Sequence, residues 1–129
     1  MKDPKNAQKM LELALKDFKA LKNMTDEALF DIEIFGFHAQ QTVEKLLKSW
    51  LSAIGVMYER THDLQNLFSL IKDNKQSLPP DLEELQDLTD FAVTFRYDVS
   101  EPFDIDLDRI ELIKKIEKLL VLVKNINKR

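Results

Sequence analysis

The 129-residue chain has no cysteine and only two glycines. Without cysteine it forms no disulfide, no thiolate metal site and no thiol nucleophile. Two glycines cannot supply the backbone freedom of a phosphate-cradling loop, so P-loop and dinucleotide fingerprints are excluded. No apolar run approaches the roughly 18 residues of a membrane span, and no membrane partner is expected. The opening MKDPKNAQKM has no apolar leader core, so no secretory leader is expected. Together with the missing cysteines this leads us to expect a cytoplasmic protein. Positive charge is not in excess: 19 basic residues face 23 acidic ones, for a net charge of −4. That balance disfavours a broad, non-specific nucleic-acid surface but leaves room for a local basic patch.

What is present is helix-forming. A third of the residues are charged, and Leu, Lys, Glu and Asp dominate. The length fits one domain with one core. The periodicity predicts helices over about residues 4–22, 26–54, 62–76, 80–97 and 107–127, with no strand pattern. Asp3-Pro4 starts the first. Thr25 is placed to cap the second and Gly55 to end it. Thr61 is the expected N-cap of the third, with Asp63 in its first turn. Pro79-Pro80 starts the fourth, and Asp108 with Glu111 has capping-box spacing at the fifth. Short connections between amphipathic segments predict an all-α, up-and-down antiparallel bundle of four or five helices.

The second segment carries most of the information. At 100° per residue, Ala39, Val43, Leu46, Leu47, Trp50 and Ile54 share one arc. His38, Gln41, Thr42, Lys45 and Ser49 share the opposite arc, which by itself reads as a solvated face. Glu44 and Lys48 stand at i,i+4 in the favourable order. Thr61-His62-Asp63-Leu64 reads as a capped helix start, in which His62 is incidental. In the fourth segment Arg96 falls beside Leu85, Thr89 and Ala92, at the border of the apolar stripe. A guanidinium there either snorkels or is held by a carboxylate, a ligand phosphate or another chain.

Taken together, these stretches resemble the HEPN domain family. His38, Ala39, Gln40, Gln41, Glu44, Lys45 and Lys48 match its second-helix pattern. Thr61-His62-Asp63-Leu64 matches its next motif, and Leu88-Thr89, Ala92-Val93 and Arg96-Tyr97 match its fourth helix. The resemblance covers roughly residues 5 to 125. It implies a helical bundle, commonly dimeric, that pairs with a separate minimal nucleotidyltransferase, often in a toxin–antitoxin arrangement. It also implies, for many members, metal-independent RNA cleavage by an Arg followed four to six residues later by a His.

This sequence departs there. Tyr97 to Phe103 contains no His, so the general base and acid that 2′-hydroxyl attack needs are missing from the expected place. Arg96 remains a weak catalytic candidate. The expected binding set is His38, Gln41, Lys45, Lys48, Arg96 and Tyr97. His38 and Arg96 would line one cleft with Lys45 and Lys48, suited to a nucleotide phosphate or RNA backbone. His38 as a hydrogen-bonded helix residue stays open beside that. The acidic stretch Asp98–Asp108 invites a calcium loop, but Arg109 and Lys115 occupy the positions that need Gly and Glu. Zinc lacks ligand spacing, and neither a metal nor a cofactor is expected. Three readings follow. One is a dimeric binding module working with a nucleotidyltransferase on nucleotide or RNA. Another is a divergent endoribonuclease toxin using Arg96 with His38 or a residue of a second subunit. The last is a structural bundle with no nucleotide site.

Overall fold

A computed structural model describes residues 1–91 and 107–129. These residues form an all-α bundle, with no strand among them. Helix α1 spans Pro4–Leu21, and the Asp3 side chain accepts from the Asn6 N–H at its start. Helix α2 spans Ile32–Ile54, on the order of 35 Å at 1.5 Å per residue. Asp3 pairs with Ser52, Ala7 with Ser49 and Asp17 with Lys45; rising numbers against falling ones make α1 and α2 antiparallel.

α2 starts six residues later than the sequence predicts. Asp26 accepts from the Ala28 N–H through its side chain and from Leu29 and Phe30 through its carbonyl, closing an isolated turn. The Phe30 carbonyl, which a continuous helix would use, instead accepts from Arg109 at 2.7 Å. Asp31 is then extended and α2 begins. Its end follows expectation. Gly55 has φ 82°, a left-handed conformation that suits glycine. The Val56 N–H reaches the Leu51 carbonyl and the Gly55 N–H reaches Ser52, the paired bonds of a Schellman cap.

The connection 55–63 runs back along α2, so α3 (Leu64–Asp73) starts beside the middle of α2. Its cap is Asp63, not Thr61: the Asp63 carboxylate accepts from the Gln65 N–H, while the Thr61 hydroxyl accepts from the Asp63 N–H. Over residues 80–91 the expected fourth helix is irregular, returning to helix only at 89–91, and its remainder, 92–97, lies outside the described residues. Helix α4 covers Pro80–Glu83 and tightens into a 3-10 turn at Glu84–Leu88. The Thr89 hydroxyl donates back to the Gln86 carbonyl and accepts the Leu64 N–H, so this turn serves the start of α3. Helix α5 spans Arg109–Asn127, with Asp108 accepting from the Glu111 N–H. Leu64 meets Thr89 and Lys72 meets Glu83, while Lys115 meets Glu84 and Lys118 meets Asp81, so α3, the 80–89 segment and α5 are successive antiparallel neighbours.

α1, α3, the 3-10 turn and α5 pack apolar residues against α2, and no residue of that helix is fully exposed. Trp50, Phe35, Phe68 and Phe91 are the largest fully buried side chains. Phe91 lies directly on the α2 backbone: a Cβ added at Gly36 would stand 2.2 Å from its ring. Gly36 is therefore a packing requirement.

Candidate functional site

The polar residues of α2 divide by what packs over them. Thr42 and Ser49, expected on the solvated arc, are fully buried. They are not solvated because α1 covers that side. The Thr42 hydroxyl donates to the His38 carbonyl at 2.8 Å. The Ser49 hydroxyl donates to the Ala7 carbonyl and accepts from Asn127, which joins α1, α2 and α5. Lys45 is ion-paired with Asp17 of α1.

On the other flank Glu44 is a hub, with a side chain only 5% exposed. Its Oε1 accepts from Gln40 at 3.0 Å and from His62 Nδ1 at 2.8 Å, and its Oε2 accepts from Lys48 at 3.1 Å. A carboxylate only accepts, so Nδ1 of His62 carries the proton in this contact. Gln40 also donates to the His62 carbonyl at 3.2 Å, and its own oxygen accepts from Gln41 at 2.7 Å. A buried carboxylate needs this number of donors. His62 is thus no incidental neighbour of a cap: it ties the 55–63 connection to α2. The Lys48 ammonium also lies 5.6 Å from the centroid of the Tyr58 ring, and the Tyr58 hydroxyl accepts from Asn6.

Between the Asp17–Lys45 and Glu44–Lys48 pairs runs the half-buried edge of α2, with Phe37, His38, Gln41, Lys45 and Lys48. The His38 ring meets the Phe37 ring edge-on at 5.6 Å. His38, Gln41, Lys45 and Lys48 therefore share one edge. The expected partners Arg96 and Tyr97 lie outside the described residues, and so does the 98–106 acidic stretch. The arrangement offers two cations held by carboxylates, an amide and an imidazole along about three helical turns. Such an edge can contact phosphate oxygens and a base. Among the described residues, no cluster of three or more His, Asp or Glu side chains could hold a metal. No helix there is long and apolar enough to cross a membrane.

The residues missed in the sequence are Gln40 and Glu44 as the hub, Asp17 as the mate of Lys45, and Arg109. Gln40 and Glu44 stand at i,i+4 on the border of the apolar arc, and that border position was the available signal. Arg109 is 6% exposed. It donates to the Met24 and Phe30 carbonyls at 2.8 and 2.7 Å and stacks 5.0 Å from the Phe35 centroid. Its Nε has no partner among the described residues. Nothing at the start of a helix marks such an Arg in advance.

The sequence model of the HEPN domain matches residues 7–126. No curated protein and no solved structure matches the chain.

Proposed function

The chain belongs to the HEPN domain family, and on that premise we propose that it is a binding module whose α2 edge takes a nucleotide or RNA phosphate. In this reading His38, Gln41, Lys45 and Lys48 contact the ligand, with Arg96 and Tyr97 joining from the following segment. The module dimerises and works with a minimal nucleotidyltransferase in a toxin–antitoxin setting. The observation that supports it is the Glu44 hub. It fixes Lys48, Gln40 and, through Gln40, Gln41 in one orientation before any ligand arrives, and prior ordering of donors favours binding.

The test is isothermal titration of the purified chain with ATP and with a short RNA, wild type beside Gln41→Ala and Lys45→Gln. Saturable binding weakened by both substitutions supports the reading; heat-silent titration with both ligands contradicts it. Sedimentation and co-purification with a nucleotidyltransferase test the dimer and the partner.

A second reading has one specific observation behind it. His62 is oriented by a buried carboxylate, the arrangement that sets an imidazole for base catalysis, and its side chain is 42% exposed. In this reading the chain itself cleaves RNA and uses His62 rather than His38. Metal-free RNA cleavage lost with His62→Ala but kept with His38→Ala is the result this reading requires.

A further inference from the structure

Charge is distributed unevenly along the chain. Residues 1–24 carry six lysines against Asp3, Glu12 and Asp17, a net +3, so the remaining residues carry −7 of the overall −4. Most of those lysines lie on α1. Lys5, Lys9 and Lys16 fall within 40° of one another around the helix, opposite the buried Ala7, Leu11, Ala14 and Phe18, and Lys19 flanks them. All four are exposed. Among the described residues, no carboxylate pairs with any of them. Glu12 is the one acid on this face, exposed three residues after Lys9 and four before Lys16, and it accepts from Gln8 at 3.1 Å, while Asp17 holds Lys45 and Asp3 caps the helix, so four lysines face a single carboxylate. Lys5 and Lys9 repel at i,i+4, and Lys16 and Lys19 at i,i+3.

We propose that this unpaired lysine row on α1 is a track for the phosphate backbone of a single-stranded nucleic acid, separate from the α2 edge. The row runs about 21 Å from Lys5 to Lys19, long enough for several consecutive phosphates rather than one. The exposed residues of α1 include no aromatic and no large apolar side chain. Without a stacking platform, contact is to the backbone and is independent of sequence. A lipid surface is disfavoured because α1 spends its apolar face on the core, and an interfacial helix needs that face available. The inference rests on the proposed nucleotide or RNA role: the α2 edge would hold one nucleotide while α1 carries the strand.

The experiment is fluorescence anisotropy of a labelled oligouridine RNA with the full chain across salt. The variant is Lys5→Gln/Lys9→Gln/Lys16→Gln, whose melting temperature should match wild type because all three side chains are exposed. Four phosphate contacts predict a log–log salt slope near about −3, from about −0.7 per contact on a single strand. The triple variant should be shallower by about 2 and bind about tenfold or more weakly at low salt. Equal slopes, or no oligouridine binding by wild type at low salt, overturn the proposal. So does binding to phosphatidylserine vesicles, without RNA binding, that the triple substitution removes. ATP titration separates the two sites. A triple variant that still binds ATP but not oligouridine supports two surfaces. ATP binding with no oligouridine binding removes the track alone, and oligouridine binding without ATP binding removes the α2 reading while leaving the track.

Discussion

Replacing Glu44 by alanine strips three donors of a shared buried acceptor: the Gln40 amide, His62 Nδ1 and the Lys48 ammonium. Truncating one member of a buried ion pair costs about 3–5 kcal/mol, because the other charge is left uncompensated. The Lys48 side chain is 13% exposed and can recover some water, which puts the expected loss at the lower end, about 3 kcal/mol. For a domain of this length that is a fall in melting temperature of about 12 °C. Glu44→Gln keeps an acceptor but loses the charge, and should lose about 1–2 kcal/mol. Thermal melting followed by circular dichroism reads both. A cycle with His62→Ala should show coupling of about 1–2 kcal/mol, since each residue holds the other. Glu44→Ala melting within about 2 °C of wild type, or additive effects in the cycle, would refute the hub.

Other consequences are equally direct. Gly36→Ala gains about 1 kcal/mol of helix propensity but drives a methyl group into the buried Phe91 ring, so net destabilisation of about 1–2 kcal/mol is expected; Phe91→Leu in the same chain should restore part of it in urea unfolding. Arg109→Met leaves the Met24 and Phe30 carbonyls without their donor and should cost about 2–4 kcal/mol, with Arg109→Lys recovering little because one ammonium cannot span both carbonyls. The Lys118 ammonium bonded to Asp81 holds that carboxyl below its ordinary 3.8. This contribution is complete above the ordinary value and is lost as pH falls through the lowered one. Asp81→Asn should therefore melt below wild type at neutral pH, and the gap should close in acid.

The elements with strong periodicity and clear end signals were legible in the sequence. Asp3-Pro4, Gly55 and Asp108 all do what local chemistry requires of them, and the inner arc of α2 is the core. The losses came where a distant group overrode a local rule. Arg109, about 80 positions away, takes the Phe30 carbonyl and delays α2. Thr89 couples the α4 region to the start of α3 and accompanies its tightening. α1 covers Thr42 and Ser49, so a polar arc that looks solvated on a helical wheel lies inside the bundle. Of the candidate site, the α2 residues were visible in sequence and their partners were not. Lys45 and Lys48 could be read from their spacing, but Asp17 as a partner is a tertiary fact. The family resemblance supplied Gln40 and Glu44 as motif letters, whereas their role as a buried hub needed the position of His62.

The central claim is that the α2 edge binds a nucleotide or RNA phosphate, and amide chemical-shift mapping of the isotopically labelled chain against ATP tests it most directly. The account predicts shifts concentrated at residues 37–48 and at His62, saturating together and reduced in Gln41→Ala. Shifts confined to other surfaces, or none at saturating nucleotide, would contradict it.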